Sequence, residues 1–223
     1  MATTEGTFRV YRVLDAVAHL NLLDTAESRL YTVFESGYPD DLQATVDGLA
    51  TGALVSGTVE GDPDDPDEPW HLLDAERDPD RSVLVDFATG VRYPEVAREA
   101  WDEAGEAAGD DPVRPTGRAL GHDGDPAGEV WVQPRDALPD GAFTLPAVAG
   151  RLPLEPWLRE LPYTEERPAE LLVVDAGGPG EPTTEPYGVL LFFTAAGHAL
   201  ADRYRERWDL PRGADSRPDF DPY

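Results

Sequence analysis

The 223-residue chain has no cysteine, no lysine and no isoleucine, and only one methionine. Without thiols it can form no disulfide, no cysteine-ligated zinc site and no thiol nucleophile. Without lysine it has no phosphate-binding P-loop, whose motif needs that residue, and GGPG at residues 177–180 precedes a strand pattern where the motif requires a helix. Long apolar runs are missing as well. The longest, residues 188–197, is about half of a membrane span, so no membrane partner is expected. The N-terminal MATTEGTFRV lacks the basic and apolar regions of a secretion signal, so the expected location is cytoplasmic.

Positive charge is the scarcest commodity. All 18 basic residues are arginine, set against 45 acidic ones, for a formal charge of −27. Such a chain repels itself at low ionic strength, whereas at molar salt the Debye length falls to about 3 Å and the repulsion is screened. The expectation is a salt-adapted protein; the alternative is an acidic protein from a GC-rich genome. Because the charge can reflect the solvent, it does not by itself exclude nucleic acid as a partner.

Residues 1–80 read as β-β-β-α-β-β. Strands are expected over residues 7–14 (TFRVYRVL), 19–24, 29–35, 53–60 and 70–77, with a short helix through Leu42, Val46 and Leu49. That order is the order of an OB-like barrel, and Gly57 suits a barrel bend. A second, mixed α+β region is expected over 81–211. It starts with a strand at 82–87, and Pro94 then takes the first position of a helix with Ala97, Trp101, Ala104 and Ala108 on one face, ending at Gly109. Glu95, Glu99 and Glu103 repel one another along that helix, relieved in part by Arg98. Residues 110–128 read as a loop, 129–133 as a strand and 154–161 as a short helix. The region closes with a strand–strand–helix unit: ELLVVD (170–175) pairs with the continuously apolar 189–193, and Thr194 caps a helix carrying Leu200, Tyr204 and Trp208 up to Pro211. Residues 212–223 read as a flexible tail.

Catalytic patterns are sparse. No G-x-S-x-G elbow occurs around Ser56, and the four histidines are scattered, so no metal site and no cofactor are expected. His198 and Asp202 are four apart on a helix, but about 160° round from its apolar stripe, and read as a solvated pair. The acidic run 62–68 lacks the glycine and distal glutamate of a calcium loop. His122, Asp123 and Asp125 in a Gly-rich loop are the candidates for a small hydrolase or lyase site.

The chief departure from the acidic background is at the start. Residues 1–38 carry three arginines against five acids, a net of −2, whereas the rest carries −25. With Phe8, Val10, Leu30 and Phe34 inward, strand alternation puts Arg9, Tyr11, Asn21, Arg29 and Tyr31 on one outward face. An OB barrel uses such a face to stack bases on aromatics beside arginines. A second basic patch is Arg203, Arg205, Arg207 and Arg212, with Arg203 and Arg207 flanking Tyr204 and Trp208. The expected function is therefore a non-enzymatic binding or adaptor protein for single-stranded nucleic acid or a protein partner.

The opening Phe8-Arg9-Val10, Leu22-Leu23-Asp24, the Gly37-Tyr38 turn, Phe87-Ala88-Thr89-Gly90-Val91 and Glu99-Ala100-Trp101 resemble an uncharacterised family from halophilic archaea, over most of residues 7–208. The resemblance implies an intracellular protein in high potassium chloride. It implies no activity, so no catalytic or binding residue follows from it.

Overall fold

A computed structural model describes residues 1–15, 17–65, 67–122, 125–160, 169–177 and 183–218. The fold is α+β and divides into two compact units. Unit 1 holds residues 1–84, 148–155 and 215–223; unit 2 holds 85–147 and 156–214.

Unit 1 contains β1 (Ala2–Arg12), β2 (His19–Asp24), β3 (Leu30–Phe34), α1 (Asp40–Asp47), β4 (Leu54–Gly61) and β5 (His71–Asp78). The strands form one sheet in the order β3-β2-β1-β4-β5. β1 is its axis: residues 8–12 pair with β2 and residues 2–9 with β4, both antiparallel. One parallel bridge, Val33 to Trp70, joins the two edges, with Trp70 N–H donating to the Thr32 carbonyl at 2.7 Å. Among the described residues no ladder follows that bridge, so the sheet is not a closed barrel. Gly57 is where the expectation placed a bend. A Cβ there would collide with the Asp74 carbonyl, and the β4–β5 register slips one residue later, between Thr58 and Val59.

Phe8, Val10, Leu22, Tyr31, Val55 and Trp70 fill one face of this sheet, with Val46 and Leu49 from α1 and its exit. Arg12, at the end of β1, closes off that helix. Its guanidinium donates to the carbonyls of Leu49, Val46 and Asp47, and Nη1 reaches Glu35 Oε1 at 2.5 Å. Helix ends leave carbonyls without partners, and a buried arginine fork satisfies three of them at once.

Unit 2 contains β6 (Leu84–Thr89, whose first residue falls in unit 1), α2 (Glu95–Ala108), β7 (Thr116–His122), β8 (Asp125–Pro134), α3 (Thr144–Val148, whose last residue falls in unit 1), β9 (Glu170–Asp175), β10 (Tyr187–Phe193) and α5 (His198–Trp208). Between α3 and β9 lies α4 (Glu155–Glu160). The sheet order is β6-β9-β10-β8-β7. β10 is central and every residue of it is buried, as a continuous apolar run requires. It pairs antiparallel with β9 (Val189 opposite Val174) and with β8 (Val189 opposite Val132). Ala97, Ala100 and Trp101 of α2 and Ala201 of α5 pack in the same apolar cluster as Val189, Leu191 and Phe193.

Several expectations are corrected here. Residues 110–128 are not one loop, because β7 and the start of β8 form a hairpin in which His122 pairs with Asp125. Arg118 from β7, not Arg98, relieves the α2 carboxylates, reaching Glu99 at 3.0 Å and Glu103 at 3.3 Å. Pro94 precedes α2 as its N-cap, and Gly109 ends the helix with φ of 76°. Thr194 does not cap α5. Its hydroxyl faces the Pro126 and Ala127 carbonyls, and a 3-10 turn at Ala195–Gly197 leads into the helix. Residues 215–218 are fastened to unit 1: Ser216 Oγ accepts from Thr51 N–H, and Arg217 pairs with Asp15, Glu35 and Asp215.

Gly188 tests the packing of β10. A Cβ at this position would fall inside the Phe143 ring. Gly188→Ala should cost about 1–3 kcal/mol, the usual range for overpacking. Denaturant unfolding in concentrated salt should show a lower midpoint with an unchanged slope, and an unchanged midpoint would refute this contact.

Candidate functional site

The outward face expected in unit 1 is not open. β1 and β2 pair Arg9 with Leu23 and Tyr11 with Asn21, so these four share a face, and residues 148–155 cover it. Arg9 is buried and donates to Glu155 at 2.8 Å and to the carbonyls of Gly52 and Arg81 at 2.8 and 2.9 Å. The Tyr11 hydroxyl accepts from Leu154 N–H at 2.9 Å, and burial pushes its pKa up. Asn21 donates to the Ala149 carbonyl at 2.8 Å. Tyr31 lies on the opposite face: its partner across β2 is Leu22, and its ring packs edge-on to Phe8 and Trp70 in the core. β3 runs one residue out of the expected phase: Leu30 and Phe34 are only half-buried, on the Asn21 side, while Tyr31 and Val33 turn into the core. Only Arg29 is exposed, and it lies over the Tyr31 and Trp70 rings at 5.0 and 5.6 Å.

Asp123 and the side chains of His122 and Asp125, the candidates for a hydrolase or lyase site, lie outside the described residues. Among the described residues, no group of three or more metal-ligating side chains is placed to hold an ion. Among the described residues, no helix is long and apolar enough to cross a membrane.

The second basic patch divides into two environments. Arg205 is buried and forms the hub of an ionic cluster that clamps α5 to β6 and β9. It holds Asp86 through Nε and Nη2 at 2.9 and 2.7 Å, Glu170 at 2.5 Å and Asp202 at 3.2 Å. Arg212 also reaches Glu170 and Asp202. His198 Nε2 stands 3.2 Å from Glu170 Oε1, yet lacks the alignment of a hydrogen bond. His198 and Asp202, expected to form a solvated pair, instead both turn towards this cluster. Burial raises the Asp86 pKa, and the hydrogen bonds from Arg205 pull it back only in part. Every charge here has a partner, which is the signature of a structural clamp.

The other environment is an open groove of about 900 Å³ in unit 2, lined by Val91, Arg92, Tyr93, Glu95, Arg98, Arg207, Trp208 and Asp209. It runs between the first turns of α2 and the last turn of α5. Arg92, Arg98 and Arg207 are exposed, and none makes an ion pair among the described residues. Eight other arginines do: Arg9, Arg12, Arg81, Arg118, Arg135, Arg205, Arg212 and Arg217. Arg29, Arg77, Arg114, Arg151 and Arg203 are also exposed and make no ion pair among the described residues, but none of them lines this groove. Trp208 is partly buried and stacks on Tyr204, with ring centroids 5.3 Å apart and planes 24° from parallel. On the groove floor Tyr93 donates its hydroxyl to the Tyr187 carbonyl at 2.5 Å, and burial raises its pKa to about 12. The sequence pointed to Arg207 and Trp208. It carried no sign of Arg92 and Arg98, because only the packing of α2 beside α5 brings them there.

A protein-family model matches residues 1–213, and its description is a family of unknown function, DUF6663. The chain belongs to that family. No curated protein and no solved structure matches it.

Arg205→Met should cost about 3–5 kcal/mol near neutral pH, because it strands buried carboxylates. Burial already lifts Asp86 above 3.8, so the folded state holds that proton more tightly than the unfolded state. Stability from this residue is therefore fullest below 3.8 and is lost as pH rises through the folded value. Losing Arg205 lifts Asp86 further, so the deficit of the variant should be smaller at about pH 4 than at about pH 7. Urea unfolding of both proteins at the two values checks this, and equal deficits would refute the role given to Asp86.

Proposed function

We propose that this member of the family is a salt-adapted, cytoplasmic, non-enzymatic binding protein whose ligand is anionic and docks in the groove of Arg92, Arg98 and Arg207. One observation carries the reading. In a chain of net charge −27, three exposed arginines without a carboxylate partner line a single groove. Eight other arginines are neutralised from within, whereas these three share one open site, which leaves room for an outside anion. Glu95 and Asp209 on the rim lower the local positive charge without pairing with these guanidiniums, which tunes the site towards a ligand that also contributes contacts other than charge.

Unit 1 is read as an OB-like barrel left open. Support comes from the strand order, the helix between β3 and β4, and the parallel bridge between the edge strands. Its usual ligand surfaces are ill suited to an anion. The β1–β2 face carrying Arg9 and Tyr11 is covered, and the β4–β5 loop carries Asp62, Asp64, Asp65, Asp67 and Glu68. Binding is therefore assigned to unit 2. Both expected ligands, single-stranded nucleic acid and a protein partner, remain compatible provided the protein surface is acidic.

Two measurements test this reading. The melting temperature should rise as potassium chloride goes from about 0.1 M to about 2 M, since screening removes self-repulsion; a flat or falling trend would end the salt-adaptation reading. Tagged protein purified from a salt-adapted host should carry an anionic ligand, and the Arg92→Gln/Arg98→Gln/Arg207→Gln variant should come out without it. Identical loads on both proteins, or none on either, would overturn the groove as the binding site.

A further inference from the structure

Resting on that reading of the groove, we infer that its ligand is a short stretch of single-stranded nucleic acid, with one base stacked on Trp208 and the neighbouring phosphates held by Arg92, Arg98 and Arg207. The groove combines the two things such a strand offers. Three guanidiniums of fixed planar geometry supply paired donors for phosphate oxygens. Beside them Trp208 lines the groove. Tyr204 stacks on it and the core packs against it, and the part of the ring that borders the groove is where the base is placed. Tyr204 in turn packs against Phe193 of the central strand at 6.0 Å, so the platform is braced by the core. A rigid, supported aromatic loses little freedom when a base stacks on it.

The two competing ligands match less of this. An acidic peptide would use the arginines and leave Trp208 idle. A duplex would offer phosphates but keep its base faces internal, out of reach of the ring. Size agrees as well: at about 900 Å³ the groove falls within the range of roughly 300–1,000 Å³ that encloses a small ligand, and it suits a few nucleotides of a flexible strand. Stacking also addresses a requirement imposed by the composition. Phosphate contacts weaken steeply as salt rises, so a ligand held in concentrated salt needs a contribution that salt does not screen.

The test is fluorescence anisotropy of a labelled ten-nucleotide oligouridylate, titrated with the full-length protein over a series of potassium chloride concentrations. Three competitors are added in parallel: a Glu-rich peptide, an RNA hairpin stem and uridine monophosphate. Three phosphate contacts to a single strand give an expected slope of log K against log salt of about −2, and each single Arg→Gln substitution should make it shallower by about 0.7. Trp208→Ala should weaken binding by roughly fivefold to 150-fold with the slope unchanged, and Trp208→Phe should restore most of it. Circular dichroism of each variant separates loss of the ring from loss of the fold. Competition by the peptide with no binding of the oligonucleotide would overturn the strand and leave the anion groove standing. Equal binding of the hairpin stem or of uridine monophosphate would overturn single-strand recognition. Oligonucleotide binding that survives all three arginine substitutions would overturn the groove itself.

Discussion

Arginine, outnumbered by acid two and a half to one, is the constraint on which this structure turns. Each buried guanidinium joins elements that hydrophobic contact alone would leave adjustable. Arg12 ties the end of β1 to the exit of α1, and Arg205 ties α5 to β6 and β9. Arg135 does the same beneath the sheet of unit 2. It bonds to Asp175 at 2.5 Å, to the carbonyls of Glu185 and Gly141 at 3.0 and 3.1 Å, and to the Tyr93 hydroxyl at 3.4 Å. Burying a charge is costly unless every donor is met, and each of these forks meets several acceptors at once. Lysine, a single point of charge on a flexible stem, could not bridge three carbonyls and a carboxylate in the same way.

The same scarcity gives the exposed arginines their meaning. Eight described arginines, all exposed, make no ion pair, and three of them, Arg92, Arg98 and Arg207, meet around one groove. The patch that looked uniform in sequence, Arg203 to Arg212, separates by helical position. Arg205 points inward to the clamp, whereas Arg207 lies two residues on and faces the groove. One helix thus carries both the anchor that holds it and part of the surface proposed to bind.

How far the chain could be read depended on how local each signal was. β10 was legible because a run of buried residues needs no knowledge of partners, and its pairing with β9 followed from a shared apolar character. The β3 phase was not, since Leu30, Tyr31, Val33 and Phe34 offer apolar side chains to both faces and alternation cannot choose between them. Tyr31 settles inward because Phe8 and Trp70 form a ring cluster there. Arg9, Tyr11 and Asn21 did lie on the face opposite Phe8 and Val10, as alternation required. That face is closed by residues 148–155, more than a hundred positions away.

By itself, then, the sequence determined the α+β class, the succession of strands and helix along unit 1, the central strand of unit 2 and the net charge of −27, because these follow from periodicity and composition along short stretches. Tertiary structure alone decided which polar faces stayed open. Exposure depends on what a distant segment covers, and the meeting of Arg92 and Arg98 with Arg207 and Trp208 depends on two helices packing side by side on one sheet. No spacing along the chain encodes that proximity, since the residues concerned are brought together by the burial of the apolar faces behind them.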